Sequence, residues 1–241
     1  MRILYRIILA FVLHLSFYGF AAAQLTVFNV PSSEITDRGR ISFQQQFEIG
    51  DQVESSTTAT YGLGKNWEIG LNLLNLDYGL SSHRFEFNDL ADSIPYAPLL
   101  MANAQKVFDL TNHLSIGLGA IAGTNLSGHN HPGFSYYTYS NLLFEAGAAD
   151  QYKFAAGAYA GNHHFLGKGP VAGFQGGLDA GIWYEKLHFL ADWISGNHPK
   201  GRLSLGVSIY ITKQLPLSLG WQRSNEDGSQ AGVIQLTVLP K

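Results

Sequence analysis

The chain lacks cysteine, carries little charge and has no long hydrophobic run after its first residues. The absence of cysteine excludes a disulfide framework, thiolate metal sites, cysteine catalysis and a lipid-modified N-terminal cysteine. Only 14% of the residues are charged, against about 25% in ordinary soluble domains. A helical membrane protein needs apolar runs of about 20 residues, and none follows residue 23. The net charge of −3 leaves no basic surface for nucleic acid, so we expect no nucleic-acid partner.

Glycine and aromatic residues are abundant instead. The 241 residues include 27 glycines, 13% are aromatic and 46% are hydrophobic. The mean hydropathy is nevertheless only +0.01. Many apolar residues with a neutral mean hydropathy favour a β-barrel that is apolar outside and polar inside.

Residues 1–23 have the features of a secretory signal peptide. Arg2 and Arg6 begin the segment, an apolar stretch follows, and three alanines offer a cleavage site before Gln24. We therefore expect export, followed by a single domain over residues 24–241. A retained N-terminal anchor helix is the alternative for this segment.

Apolar and polar residues alternate along most of the remaining chain. Leu203, Leu205, Val207, Ile209 and Ile211 are separated by single small or polar residues, which is the period of a strand with one apolar face. About a dozen segments have this pattern, and each is near the roughly 9–11 residues that cross a bilayer at a tilt. Ten strands are the alternative count. The predicted strands are 38–49, 53–63, 67–76, 98–109, 113–123, 136–147, 151–161, 173–184, 187–195, 201–212, 215–224 and 230–239.

The connections between these strands alternate in length. Tight turns are predicted at 64–66, 185–186 and 213–214, and the three longest connections cover 77–97, 124–135 and 162–172. Short turns at one end and long loops at the other are typical of outer-membrane barrels. We therefore predict the fold class as all-β: a transmembrane, antiparallel, up-and-down β-barrel of about twelve strands in the cell outer membrane. A soluble periplasmic β-barrel is the alternative.

Aromatic residues on the apolar register cluster near both ends of the predicted strands. Two such belts are expected where a barrel meets the two membrane interfaces. The predicted members are Tyr61, Trp67, Tyr152 and Tyr184 at the turn end, and Tyr136, Phe174, Trp193 and Trp221 at the loop end.

Two hairpin segments carry a resemblance to a known family. In 58–71 a strand ends in Tyr61, Gly62 and Leu63, a tight turn follows, and the next strand opens aromatic-Glu-aliphatic-Gly; 211–221 is a similar strand–turn–strand unit. Both resemble the family of meta-pathway phenol-degradation transporters, although the chain ends in Pro240 and Lys241 rather than in an aromatic residue. The resemblance implies a barrel that passes small molecules, apolar or aromatic ones among them, and it implies no catalytic residues and no cofactor.

The face opposite to the apolar register should line the lumen. Twelve strands lie between the filled interior of about eight strands and the wide channel of about 16–18. An open or gated path for small solutes is therefore our main hypothesis, and a closed structural or surface-binding barrel is an alternative. Acidic lumen residues would attract cations and disfavour anions. The predicted lumen-lining residues are Gln44, Gln46, Glu48, Glu68, Asn72, Gln175, Asp179, His188 and Asp192.

Two further hypotheses concern the long loops. Imidazoles there are weak candidates for metal ligands, namely His129, His131, His163 and His164. A lipid-modifying enzyme at the outer rim would need a Ser–His pair with a third polar group, and His131, Ser135, Ser140 and Asn141 are close in sequence. The expected partners of the channel are outer-membrane lipid, a small-molecule solute and the barrel assembly machinery.

Overall fold

Twelve long antiparallel strands form a closed barrel. The structure, a computed structural model, describes residues 27–88, 93–126, 133–147, 151–183 and 186–240, and the expected signal peptide lies outside them. Each strand pairs with its neighbours along the chain, and the first pairs with the last. The strands are β1 (Ile41–Ile49), β2 (Gln52–Gly64), β3 (Trp67–Gly79), β4 (Arg84–Glu86), β5 (Leu99–Thr111), β6 (Leu114–Asn125), β7 (Phe134–Ala146), β8 (Tyr152–Gly161), β9 (Ala172–Trp183), β10 (Leu187–Ile194), β11 (Arg202–Thr212), β12 (Leu215–Ser224) and β13 (Gln230–Val238).

The predicted fold class and the count of twelve barrel strands are confirmed. The one additional strand, β4, pairs with the end of β3 and lies in the connection that the sequence left as a loop. A four-residue helix, α1 (His163–Leu166), lies between β8 and β9 and was also not predicted. In the described part of the chain no helix has the length and apolar composition needed to cross a bilayer.

Alternation along the strands separates a lipid face from a lumen face. On β11, Leu203, Leu205 and Ile209 point outward and are exposed, whereas Ser204 and Ser208 are buried inside. The same period of two holds along the neighbouring strands because successive side chains of a strand point to opposite faces. Seven of the aromatic residues predicted for the two belts are exposed on the outer surface: Tyr61, Trp67, Tyr152, Tyr136, Phe174, Trp193 and Trp221. The eighth, Tyr184, lies outside the described residues.

The two ends of the barrel differ in their connections. At the end called here the turn end, β2 and β3 are joined by Lys65 and Asn66, whose φ angles are 53° and 60°. Positive φ at both central residues is the geometry that matches the right-handed twist of a tight hairpin. The opposite end, the loop end, carries the three longest connections, 80–98, 126–133 and 162–171.

Candidate functional site

The residues before β1 run inside the barrel. We call 27–36 the N-terminal segment. The Thr36 hydroxyl is 2.7 Å from the Ser42 hydroxyl and 2.9 Å from the Thr60 hydroxyl, so the segment enters at the turn end. From there it continues inward, and Val27 and Phe28 lie against Leu190 and the strands around it. The lumen is therefore occupied by the chain itself.

One buried carboxylate holds the inner part of the N-terminal segment. Asp192 on β10 is 2% exposed, and its Oδ2 accepts hydrogen bonds from the backbone N–H groups of Phe28 (3.0 Å), Asn29 (2.5 Å) and Val30 (3.1 Å). Hydrogen bonds to an ionised acceptor are stronger than neutral ones. The side chain of Asn29 also donates to the Ser204 hydroxyl at 2.9 Å. Asp192 thus compensates three backbone donors that would otherwise be buried without partners.

Glycines in the barrel wall make room for Phe28. A Cβ at Gly206 or at Gly220 would lie 2.7 Å from the Phe28 ring, and a Cβ at Gly177 would lie 2.9 Å from Val27. These glycines point into the lumen from β11, β12 and β9. Glycine inside a strand often marks the close approach of another backbone or a ligand. Here the N-terminal segment is what approaches.

A second anchor lies nearer the turn end. Glu34 of the N-terminal segment forms an ion pair with Lys153 on β8, and the Lys153 ammonium is also 3.6 Å from Glu145. The Glu34 backbone carbonyl accepts a hydrogen bond from the Gln105 side chain at 3.3 Å. Further inward, the Asn141 side chain donates to the Pro31 carbonyl at 2.7 Å. The segment is therefore fixed along its length by contacts with several strands.

Inward-folded loops cover much of the loop end. Tyr96, Phe165 and Leu166 are buried in an apolar cluster that also contains Val30 of the N-terminal segment. The Tyr96 backbone N–H donates to the His164 carbonyl at 2.9 Å, which ties the two loops together. Consequently the lumen is narrowed at the loop end as well as in its middle.

His198 holds a third loop, 195–201, at the same end. Its Nδ1 accepts from the Lys200 backbone N–H at 3.2 Å, so its Nε2 carries the proton and donates to the Tyr159 hydroxyl at 2.7 Å. Burial, and secondarily the nearby Arg202, lower the pKa of His198 below its usual value. The neutral imidazole is therefore the form that fits this loop.

A cavity of about 220 Å³ remains between the N-terminal segment and the wall of β1, β2, β3 and β5. Phe28 and Asn29 form part of its lining, and Tyr137 and Tyr139 add aromatic surface. Neutral amides and hydroxyls cover much of the strand side. They include Gln44, Gln46, Thr58, Asn72, Asn103 and Gln105.

Ion pairs border the cavity towards the loop end. Arg202 on β11 contacts Glu48 on β1 at 2.6 Å, and Gln222 donates to the same carboxylate. Lys200 lies 3.4 Å from Glu54 and donates to Asn75 at 2.7 Å. Both cationic side chains of this rim are therefore matched by carboxylates.

The nine predicted lumen residues all point into the barrel, but they have different roles there. Gln44, Gln46, Glu48, Glu68 and Asn72 line the cavity. The remaining four lie on β9 and β10: Gln175, Asp179, His188 and Asp192.

The acidic members of this set are engaged by the protein. Glu48 contacts Arg202, Glu68 accepts the Thr36 N–H at 2.6 Å, and the Asp179 carboxylate lies 2.6 Å from His188 Nδ1. Asp192 holds the N-terminal segment. Of these four carboxylates only Glu48 is paired with a lysine or arginine among the described residues, and the cation preference of the lumen stays a prediction.

The candidate metal ligands are not brought together in the described residues. His163 Nδ1 lies 2.9 Å from the Gly167 carbonyl, whereas His164 Nδ1 lies 3.0 Å from the Phe134 carbonyl and its ring stacks on Tyr96. No group of three or more metal-binding side chains occurs in the parts of the chain that the structure describes. His129 and His131 lie outside those parts.

The candidate residues for a rim enzyme are divided between two faces. Ser135 and Asn141 point into the lumen and are buried, whereas Ser140 lies on the outer, lipid-facing side of β7. Their alternation follows from the period of two along a strand. Ser140 is therefore on the opposite face of the strand from Ser135 and Asn141, and His131 lies outside the described residues.

Sequence reasoning missed the residues that hold the N-terminal segment. Asn141, Lys153 and Arg202 were not among the predicted lumen residues, and 27–36 was treated only as the stretch before the first strand. Inward-facing glycines at the middle of neighbouring strands were the available signal, because such positions leave space for something else to approach.

Comparisons with known proteins bear on the fold alone. No protein-family model matches the chain, and no curated protein matches it in sequence. Among solved structures it is similar to KdgM porin in complex with disordered oligogalacturonate, with 10% identity and a TM-score of 0.59 over 82% of this chain and 98% of that chain. A second KdgM porin structure gives 10% identity and 0.58 over the same shares. Outer membrane phospholipase A from Escherichia coli gives 13% identity and 0.47 over 83% of this chain and 88% of the other.

Proposed function

We propose that the protein is an outer-membrane channel for small molecules and that the N-terminal segment closes it in this conformation. The observation that carries the proposal is a lumen cavity of about 220 Å³ beside a segment that belongs to no strand. Residues 27–36 join the barrel wall covalently only through their C-terminal end, and the contacts that keep them inside are non-covalent. A closure of this kind is reversible in principle, whereas an interior filled by wall side chains is not.

The outer membrane is the location that fits the outer surface. Apolar side chains face outward around the barrel, and aromatic residues flank them at both ends, as expected for a protein between two membrane interfaces. An exported chain of this type would be inserted by the barrel assembly machinery. Fractionation of cells that express the full-length protein, with and without the first 23 residues, tests the expected signal peptide and the location together.

The charges of the lumen favour solutes without net negative charge. KdgM porin has been solved with an oligogalacturonate. In the present chain Lys153, Lys200 and Arg202 are each matched by a carboxylate, so the lumen, as far as the structure describes its residues, offers no row of free cationic groups for a polyanion. Neutral amides in the cavity are suited to uncharged polar solutes. The resemblance noted in the sequence adds small aromatic molecules to the solutes worth testing.

Liposome swelling tests the channel directly. The full-length mature chain and a chain that begins at residue 37 are refolded, and their folded state is verified by heat-modifiable gel mobility. Sugars, amino acids and small aromatics of increasing size are then compared. We expect slow swelling with the full-length chain and fast, size-dependent swelling with the shortened one.

Two outcomes would contradict the proposal. If the shortened chain forms a verified barrel and still gives no swelling, other parts of the chain besides the N-terminal segment close the lumen. A structural or surface-binding barrel is then the better hypothesis. If both chains swell at equal rates, the N-terminal segment does not close the path.

A further inference from the structure

We propose that the seat of Phe28 is a solute subsite for molecules that join an aromatic ring to an N–H donor group, and that the N-terminal segment occupies it as an internal competitor. The seat consists of Leu190, Gly206, Gly220 and Val233, with Asp192 beside it. This inference rests on the proposed channel function and adds the chemical class of the solute.

The seat is a row of residues across four neighbouring strands. Leu190 on β10 is the register partner of Gly206 on β11, Gly206 is the partner of Gly220 on β12, and Gly220 is the partner of Val233 on β13. All four point into the lumen. Two branched side chains therefore flank a floor of two glycines, and the Phe28 ring lies in the slot between them.

The contacts of Phe28 show how closely the slot fits a ring. Phe28 is 2% exposed and clusters with Leu190 and Val233. A Cβ on either floor glycine would lie 2.7 Å from the ring, closer than two carbon atoms can approach without a shift. The slot therefore accepts an aromatic ring only while both floor positions are glycine.

Asp192 supplies the polar half of the seat. It is two residues along β10 from Leu190, on the same lumen face, and its register partner is Ser204. Its Oδ2 accepts the N–H groups of residues 28–30, and its Oδ1 has no hydrogen-bond partner among the described residues. No cationic side chain in the described ranges is bonded to it. Ser204 adds a side-chain hydrogen bond to this carboxylate. A buried carboxylate that accepts three backbone N–H groups will also accept those of an ammonium or amide group.

The seat adjoins the space through which a solute would move. Phe28 and Asn29 both line the cavity of about 220 Å³, so withdrawal of the N-terminal segment joins the seat to that cavity. The N-terminal segment thus fills the seat with the Phe28 ring and the N–H groups of residues 28–30, and a solute would fill it with its own ring and N–H groups. Occupation by the segment and by the solute are mutually exclusive.

Single-channel recording in planar bilayers tests this with the chain that begins at residue 37. The probes are tyramine, 4-hydroxyphenylacetate and ethanolamine, which carry ring and amine, ring and carboxylate, and amine alone. We expect tyramine to block the current with an apparent Kd at least tenfold lower than that of either other probe. An acetylated peptide of residues 27–36 should also block, and tyramine should compete with it.

Three variants of the shortened chain separate the two halves of the seat. Asp192→Asn keeps the shape but removes the charge, and should weaken the tyramine block at least tenfold. Gly220→Val fills the slot, and should weaken it similarly. Gly232→Val is the matched control, because Gly232 lies outside the seat and its added Cβ would meet nothing closer than 3.9 Å. It should leave the block unchanged.

The outcomes distinguish the inference from the proposed function. No current through a verified shortened barrel refutes the channel itself. A current that all three probes block equally, or a tyramine block that Asp192→Asn leaves intact, refutes only the subsite. Where the shortened chain does not fold, the full-length Phe28→Gly variant replaces it, because it keeps the N–H donors and vacates the ring. Toluene should then raise the unfolding temperature of this variant but not of the unmodified protein, and no difference between the two would overturn the proposal.

Discussion

Replacing Lys153 by methionine should release the N-terminal segment. The side chains of Lys153 and Glu34 are only 18% and 10% exposed, so their ion pair is shielded from water. Removing one partner of a buried pair costs about 3–5 kcal/mol because a charge is left without compensation. Glu34 regains water when the segment leaves the lumen. We therefore expect the free-energy difference between the closed and open barrels to shift by about 3 kcal/mol towards the open form. The ratio of open to closed barrels then rises roughly 100-fold.

Substitution of the other partner of this ion pair, Glu34, should have a smaller effect. In Glu34→Gln the Lys153 ammonium still has Glu145 at 3.6 Å, so its charge stays compensated. Loss of one partly redundant contact should cost about 1 kcal/mol. In the double variant, Lys153→Met with Glu34→Gln, no charge of the broken pair is left buried alone. Its ratio of open to closed barrels should lie within about tenfold of that of the unmodified protein, which corresponds to a coupling energy of about 3 kcal/mol.

Open probability in planar bilayers measures all three variants on one scale. Lys186→Met is the control, because Lys186 lies over the ring of Trp183 at the turn end, 5.0 Å from its centre, and away from the N-terminal segment. The reasoning fails if the double variant is as open as Lys153→Met. In that case packing around the lysine chain, rather than charge compensation, would hold the segment.

Three other predictions concern the wall and the ends of the barrel. Because His198 has a lowered pKa, the folded loop binds fewer protons than the unfolded one, so its stability is complete above about pH 6.5 and declines as the pH falls. Smaller hydrogen-exchange protection of 195–201, relative to the intrinsic rate at each pH, at pH 5 than at pH 7.5, and no such difference in His198→Gln, checks this. Leu219→Arg places a charge at the middle of the lipid face and should cost about 2–4 kcal/mol, against about 0–1 for Trp221→Arg near the rim, in urea unfolding from vesicles; equal costs would mean that this face does not contact lipid. Asn66→Val forces a β-branched residue to a φ of 60° and should cost about 1–2 kcal/mol in the same assay, whereas Asn66→Gly should cost less.

The barrel wall was predictable because its determinants are local. The alternation of Leu203, Leu205, Ile209 and Ile211 with small or polar residues fixes both the strand and its outward face. A tight turn at Lys65 and Asn66 then fixes the hairpin register. These signals lie within a few residues of one another, so the strands and the hairpin could be predicted without knowing how the barrel closes.

Contacts across the lumen were not predictable in the same way. Glu48 and Arg202 are 154 residues apart and lie on β1 and β11, which are not neighbours in the sheet. Their approach depends on the curvature of the closed barrel, and alternation says only that each points inward. Asp179 and His188 were both assigned to the lumen, yet they are diagonal neighbours rather than register partners, since His188 lies opposite Gly181. Sequence pattern therefore gives the inventory of the lumen, whereas its pairing requires the closed geometry.

Glycines that face the lumen are a local sequence signal for contacts across the lumen. A glycine in a strand interior weakens the strand, since it adds chain entropy and packs nothing. Gly177, Gly206 and Gly220 accept that cost where Val27 and Phe28 approach the wall, and Gly117 does so beside Ser33. If Gly220 only widened a permanently open pore, alanine would serve nearly as well there, because its Cβ would come no closer than 3.0 Å to the wall itself. Because a Cβ at Gly220 would lie 2.7 Å from the Phe28 ring, which is its nearest neighbour, Gly220→Ala should expel the N-terminal segment and open the full-length channel. The same change in the chain that begins at residue 37 should leave its conductance almost unaltered.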